Sequence, residues 1–345
     1  MSNWKMTIAC ESLIKMREIA ILMTDNCLAS SVTGPHDLFN MANRVWQHVE
    51  GEAAEPLFRV KLVSEDGKPV TTSSGIVIHA DEKLAELSDC DFLMIAAYLY
   101  GAKNSLLEFI QSKNTVYAEL RRLHHEKTMI GAYCSATFVL AASGLLKERK
   151  ATTSWWLANS FRRSFPEIHL TLNELVVEEQ GIYTAGATTS YIHLCLKIIE
   201  KLVGAQIANQ VSKVLLVDNN RLSQLPYMQF IPTLHHKDSV ISKCQDWIQN
   251  NLSRSISLED MAAVASMSKR NFIRRFKKAV GETPLSYLQR LRIEAAKRYL
   301  ETTDMHMEQI IEKVGYEDSS AFRRVFQKIT SLTPSAYRSK FIMSA

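Results

Sequence analysis

Two regimes of apolar patterning divide this chain. Up to about residue 217, short continuous apolar runs alternate with stretches of helical period, whereas beyond residue 238 only the helical period persists. After Arg17 the run EIAILMT suits a buried strand, and residues 35–45 have helical period. The runs FRVKLVSE, GIVIHA and DFLMIAAY then follow, each β-rich and bounded by polar or glycine-bearing turns. Residues 106–125 read as a helix, TMIGAY as a strand and residues 135–145 as a helix. LTLNELVVEEQGIYTAG predicts a hairpin turning near Gln180 and Gly181, followed by helices over 191–202 and 205–217. Strands and helices in this order predict an α/β domain with a mostly parallel, flavodoxin-like sheet, whose ligand site lies at the carboxyl ends of the strands.

Residues 218–237, DNNRLSQLPYMQFIPTLHHK, carry two prolines and no sustained period, which marks a linker. The helical stretch beyond it is internally duplicated. An offset of 50 residues superposes Phe272 on Phe322, Arg274 on Arg324, Phe276 on Phe326, Lys278 on Lys328, Thr283 on Thr333, Pro284 on Pro334 and Tyr287 on Tyr337. In each copy the phenylalanines, four apart, share a helix face that belongs in the core, and the arginine between them points elsewhere. Ser257 opens an S-x-x-D capping box, Ser268 and Asp318 stand at helix starts, and Thr283-Pro284 and Thr333-Pro334 supply an N-cap with proline in the first turn. Gly281 and Gly315 suit left-handed helix ends. Each copy is thus a short helix, a tight turn and a second, basic helix, the layout of a helix-turn-helix. The second helices run over 269–280 and 319–329. A spacer helix over 284–302 separates them, with Leu285, Leu288, Leu291, Ala295 and Tyr299 as its apolar face.

Charge sharpens this picture. From residue 238 onward there are 18 Lys and Arg against 12 Asp and Glu, a balance of +6 in a chain of net +5, which leaves −1 for everything before. A polyanion is therefore the partner to expect for the last third. Basic residues on a helix are usually only a solvated face. The duplication, the paired caps and the localised charge together favour double-stranded DNA. The six cysteines form no CxxC or Cys/His cluster, so no metal site, disulfide framework or cofactor is expected, and a reducing cytoplasm fits. The first twenty residues lack a signal-peptide core. Residues 128–146 are apolar over nearly a membrane-spanning length, but Gly131, Ser135, Ser143 and Gly144 favour a buried strand and helix, so no membrane partner is expected.

The residues of the last third resemble the AraC/XylS family of DNA-binding domains. The strings VGY-x-D-x-S-x-F-x-R-x-F and TP-x-x-YR are the specific ones. The resemblance implies two helix-turn-helices on adjacent major-groove segments. Arg270, Ile273 and Arg274, with Lys269 beside them, would meet bases in one groove, and Ser320, Arg323 and Arg324 in the next. Ser331 departs from the usual glycine, and Ile311 and Glu312 stand where an Ile-Ala pair is common.

GAYCSATFVLAASGLL, the ATTSWW string and SFPEIHL are similar to the PfpI-like branch of the class I glutamine amidotransferase superfamily. Together with the AraC-type domain they resemble the GlxA-like regulators. In the enzymes of that superfamily a cysteine sits on a strained strand-to-helix elbow, and Cys134 occupies that place here, although a lone thiol is as often mere packing. The partners for catalysis are absent. Ser154 stands where relatives carry histidine, Ala29 where they carry glutamate, Ala97-Tyr98 where a glycine pair builds an oxyanion site, and His193 where an aspartate is common in these regulators. No G-x-S-x-G string supports Ser135 as a nucleophile. No catalytic residue is therefore assigned. What remains is a pocket whose candidate lining is Cys134, Tyr98, Tyr100, Tyr133 and Trp155, with Trp156 adjoining. Aromatic faces there could hold a cationic effector, and relatives of this architecture include regulators of amine and amino-acid metabolism.

The organisation expected is a tail over 1–16, a PfpI-like sensing and dimerising domain over 17–217, a linker over 218–237 and an AraC-type DNA-binding domain over 238–345. The function expected is that of a cytoplasmic, homodimeric transcription regulator of activator type that binds an unknown small-molecule effector and contacts RNA polymerase. An active PfpI-like cysteine hydrolase or amidase carrying a DNA-binding module is the alternative, and a ligand-independent architectural DNA binder a third reading.

Overall fold

The computed structural model describes residues 15–99, 110, 114–218, 223–230, 232 and 236–342. The chain divides into two compact units, the first ending at Gln224 and the second beginning at Leu225. Tyr100, the tail before residue 15 and most of 106–113 lie outside the described residues.

In the first unit, strands β1 (Arg17–Met23), β2 (Phe58–Ser64), β3 (Val70–Thr71), β4 (Val77–Ile78), β5 (Glu82–Lys83), β6 (Phe92–Ile95), β7 (Met129–Tyr133), β8 (Lys150–Ala151), β9 (His169–Leu170), β10 (Val176–Glu179) and β11 (Ile182–Ala185) are interleaved with helices. These are α1 (Ala29–Glu50), α2 (Asn114–His125), α3 (Ala136–Ala142), α4 (Ala158–Ser164), α5 (Tyr191–Val203) and α6 (Ala205–Val214). Among the described residues the main sheet has seven strands in the order β10-β11-β7-β6-β1-β2-β5, parallel throughout except for the β10–β11 hairpin.

Both faces of that sheet are covered, which is why its strands read as continuous apolar runs. Phe92 and Met94 enter one core with Tyr133, Tyr183, Phe39 and Leu194. Leu93 and Ile95 enter the other with Ile130, Ala132, Leu120 and Phe138. Residues 128–146 become β7 and α3, and no described helix is long and apolar enough to cross a membrane. The five described cysteines are free, and no group of three metal-ligating side chains occurs among the described residues.

Several elements differ from the expectation. The helix expected over 35–45 is the 22-residue α1, with Pro35 inside it. Proline cannot donate to the carbonyl four residues back, and here Tyr133 Oη donates to that carbonyl, Ser31 O, at 3.3 Å. Gly34 before it is needed because a Cβ would fall 2.5 Å from the Tyr191 ring. Among the described residues GIVIHA does not join the main sheet: β4 pairs with β3 in a separate ribbon, and Ile76 and Val77 stay exposed. The helix expected over 135–145 stops at Ala142, because Gly144 turns left-handed and Arg121 Nη1 takes the Ser143 carbonyl at 2.9 Å.

The second unit comprises α7 (Ser239–Asn250), α8 (Leu258–Val264), α9 (Lys269–Val280), α10 (Pro284–Thr302), α11 (Met307–Lys313), α12 (Ser319–Thr330) and α13 (Pro334–Phe341). It has two cores with α10 common to both: Tyr287, Leu288 and Leu291 enter the first, Ile293, Ala296 and Leu300 the second. The seven-residue identity now has a physical account. Phe276 lies 5.5 Å from Phe272 and 5.4 Å from Tyr287, and Phe326 lies 5.6 Å from Phe322 and 5.4 Å from Tyr337, so one aromatic triad is built twice. Ser257 and Asp260 form the capping box, and Thr283, Thr333 and Asp318 each accept a backbone N–H. Ser268 occupies its N-cap place without a side-chain capping bond. The apolar face expected for α10 is rotated: Leu285 is 47% exposed, and Tyr287, whose ring is demanded by Phe276, is buried in its stead.

Buried charge joins the two copies. Arg292 on α10 donates to Leu252 O at 3.2 Å and to Arg254 O at 2.6 Å, and its guanidinium lies 5.4 Å from the Tyr316 ring centre. Gly315, left-handed at φ +77°, has no room for a Cβ, which would sit 2.3 Å from Leu252 O. The turn of the second copy is therefore fitted against the α7–α8 connection of the first. Ser331 takes the left-handed place usually held by glycine, at φ +61°.

Candidate functional site

The second helices α9 and α12 carry the residues expected to read DNA. Lys269, Arg270 and Arg274 are exposed and Ile273 is half-buried on α9, while Ser320, Arg323 and Arg324 are exposed on α12. Arg270 and Arg274, like Ser320 and Arg324, lie on the side of the helix away from the buried phenylalanine pair, while Ile273 and Arg323 flank it, as the helical period dictates. The side chains differ in how far they are already engaged. Lys269 Nζ pairs with Glu259, and Arg274 Nη2 donates to Asn271 at 3.0 Å. Among the described residues Arg270, Arg323 and Arg324 make no ion pair or side-chain hydrogen bond.

Arg275, which no sequence pattern singled out, anchors α9 to the start of α7 through two bonds to Asp238, at 2.6 and 2.9 Å. That guanidinium holds the Asp238 carboxyl below the usual carboxylate range, aided by the Ile241 N–H that it caps. Beside the pair lies an open cavity of about 780 Å³ whose lining includes His236, Lys237, Arg274 and Lys278. With one carboxylate, already neutralised by Arg275, among Lys237, Arg274 and Lys278, the cavity suits an anion such as a backbone phosphate. The repeated Lys278/Lys328 identity was the available signal for this feature. Nothing in the local pattern announced Asp238.

In the first unit, Cys134 stands at the turn from β7 to α3 with φ +54°, a left-handed conformation rare for a side-chain-bearing residue. The strain is held by neighbours. Cys134 N–H donates to Gly186 O at 2.8 Å, its carbonyl accepts from Thr153 Oγ1 at 2.7 Å, and Ser154 Oγ donates to Gly186 O at 3.4 Å. The thiol is buried, and among the described residues its side-chain partner is Thr188 Oγ1 at 3.9 Å. Among those residues neither a histidine nor a carboxylate is in hydrogen-bond reach of it. The Tyr98 N–H, where an oxyanion donor would be sought, is occupied by Ser135 Oγ at 2.9 Å. Ala29 opens α1, and His193 lies on α5, where its Nε2 is 3.2 Å from Asp218 O.

The aromatic candidates differ in exposure. Tyr133 and Tyr98 are buried, and the Tyr133 hydroxyl is committed to Ser31 O. Trp155 is half-buried and Trp156 is exposed at 46%, with their rings edge to face at 5.5 Å. Tyr100 lies outside the described residues. The residue that does reach the elbow's surroundings is Gln224, and a lone polar residue in an aperiodic stretch gave no warning of it.

Comparison with known proteins agrees with this division of labour. Residues 17–201 match the DJ-1/PfpI family, and residues 261–340 match a helix-turn-helix domain. The HTH-type transcriptional regulator CdhR of Pseudomonas aeruginosa is 26% identical over 290 residues, 84% of each chain. GlxA of Rhizobium meliloti, another HTH-type transcriptional regulator, is 26% identical over 83% of this chain and 86% of its own. GbdR of Pseudomonas aeruginosa, likewise an HTH-type transcriptional regulator, is 22% identical over 92% of this chain and 83% of its own. In fold, a crystal structure of a putative transcriptional regulator from Vibrio parahaemolyticus superposes on 58% of this chain and 100% of its own, with a TM-score of 0.50 at 21% identity. With more than half of its length matched, and a duplicated helix-turn-helix following the matched part, the chain belongs to the DJ-1/PfpI family and joins that domain to a DNA-binding one of AraC type.

Proposed function

We propose that this protein is a sequence-specific DNA-binding transcription regulator whose first unit senses a small molecule. The observation that carries the proposal is the twice-built aromatic triad, which aims two basic helices outward at a fixed spacing through α10. Arg270, Ile273 and Arg274, flanked by Lys269, read one major-groove segment, and Ser320, Arg323 and Arg324 the next. The named relatives support this reading, because each is described as a transcriptional regulator and is matched over most of its length.

The elbow serves as sensor rather than catalyst. Acyl transfer by a thiol needs a base within hydrogen-bond reach and free oxyanion donors, and Cys134 has a threonine hydroxyl instead. Homodimerisation through the first unit, action in the cytoplasm and activation by contact with RNA polymerase complete the proposal, with the effector bound near the Cys134, Tyr98 and Trp155 region. The test is a binding-site selection on the full chain followed by salt titration. One enriched motif should emerge, and its affinity should fall about 10³-fold between 50 and 200 mM salt. Affinity without sequence preference or salt dependence would exclude the reading, as would amidase turnover abolished by Cys134→Ser.

A further inference from the structure

Gln224 is the last residue of the first unit and is 1% exposed. Its carboxamide is satisfied at both ends. Oε1 accepts from the Trp155 N–H at 3.1 Å, and Nε2 donates to Thr153 O at 2.8 Å and to Thr152 Oγ1 at 3.2 Å. Gly186 makes the space, since a Cβ there would meet the carboxamide at 3.1 Å. Thr153 and Gly186 are the same residues that hold the Cys134 backbone in its left-handed turn. The carboxamide and the elbow thus share two supports.

The chemistry of this niche is selective. It presents, on two successive peptide units, the Thr153 carbonyl, which needs a donor, and the Trp155 N–H, which needs an acceptor. A carboxylate brings no proton to Thr153 O, and an ammonium brings no acceptor to Trp155. A primary carboxamide meets both demands, and burial makes a mismatch costly.

The residues that follow Gln224 belong to the second unit. Phe230 N–H donates to Glu294 at 3.2 Å, Met228 O accepts from Lys297, and the Phe230 ring lies 5.6 Å from Tyr287 with Arg290 4.2 Å above it. The strap 225–230 is therefore laid on α10, the helix that spaces the two reading helices. One peptide bond separates it from the buried carboxamide.

We propose that Thr152, Thr153, Trp155 and Gly186 form a carboxamide-binding subsite that Gln224 fills as an internal ligand, and that a small molecule bearing a primary carboxamide displaces it and loosens the strap on α10. This rests on the regulator reading for its purpose but not for its geometry. Tethering gives Gln224 a high effective concentration, so a simple amide competes poorly in the wild type and binds once the side chain is removed.

The experiment measures backbone hydrogen exchange in the full chain, with DNA affinity followed in parallel. Gln224→Ala should speed exchange at Trp155 and at Phe230 by about tenfold or more. Propionamide at tens of millimolar should restore protection at Trp155 but not at Phe230, and propionate should restore neither. Gln224→Glu keeps the volume and removes the donor, so it reports on the subsite if the alanine variant unfolds, and it should speed exchange at both positions. Unchanged Phe230 exchange in the folded variants overturns the coupling, and equal rescue by propionate overturns the carboxamide selectivity. Loss of DNA binding by the wild type would instead count against the regulator reading and leave the exchange result standing.

Discussion

In the first helix-turn-helix copy the reading helix α9 is tied down by Arg275 to Asp238, by Lys269 to Glu259 and by Arg274 to Asn271 on its own surface. In the second, α12 shows the same phenylalanine pair to the core, yet among the described residues Arg323 and Arg324 make none of these contacts. Duplication has kept the interior and let the surface diverge. The interior triad sets where each helix points, so it cannot change without moving every reading residue, whereas an outward arginine can gain or lose a partner at little cost. An arginine with no intramolecular partner has no bond to exchange when it meets a base. The second copy is therefore expected to draw more affinity from each arginine.

The strongest way to break the equivalence of the interiors is to truncate a triad. Phe272→Ala and Phe322→Ala should each destabilise the second unit by about 3–5 kcal/mol, read as lost amide protection in α9 and α12 respectively. A loss confined to one copy would show that the triads are not alike. The turns offer a sharper contrast. Gly281 is left-handed with nothing within 4 Å of where a Cβ would stand, whereas at Gly315 a Cβ meets Leu252 O. Gly281→Ala should cost about 1 kcal/mol from backbone strain alone, and Gly315→Ala about 2–3 kcal/mol because the alanine also forces the two copies apart. Denaturant melts monitored by the Trp247 region would separate them.

On the surface, Arg324→Ala should weaken binding to the selected site by about 2–3 kcal/mol and Arg274→Ala by about 1–2 kcal/mol, each relaxing base preference at its own positions. Lys278→Ala should weaken all sequences alike. Competition binding with single-base variants of the site decides this, and equal losses would remove the distinction between tied and untied arginines. The smallest effect is that of Asp238→Asn. Because the carboxyl is held below its ordinary value by Arg275, its contribution is complete above about pH 4 and disappears as pH falls through the lowered value. The pair is partly exposed, so the loss at pH 7 should be within about 1 kcal/mol, and it should shrink as the pH falls below about 4.

The legibility of this chain followed how local its determinants are. The bounds of α9 and α10 could be read from Ser268, Gly281 and Thr283-Pro284, residues whose conformational preferences act within one turn. The core strands were readable because burial on both faces leaves an unbroken apolar run. Short elements escaped. The two residues of β5 and the seven of α4 carry too few positions for any period, and GIVIHA is apolar without being buried. Leu285 misled because period alone does not fix phase, and it was Phe276, eleven residues before Tyr287, that set it. At the elbow the ATTSWW string holds part of the support for Cys134, but the bonds to Gly186 and Gln224 join distant parts of the sequence and leave no local trace.

The interior place of β7 in the sheet has a consequence for synthesis on the ribosome. Its two neighbours are β6, already made when β7 emerges, and β11, which appears about 50 residues later. At 5–20 residues per second that is a wait of roughly 3–10 s. Throughout it, β7 has one of its two hydrogen-bonding edges uncovered. This stretch is where a nascent-chain holdase would find its binding site, and where a translational pause before residue 185 would turn delay into aggregation.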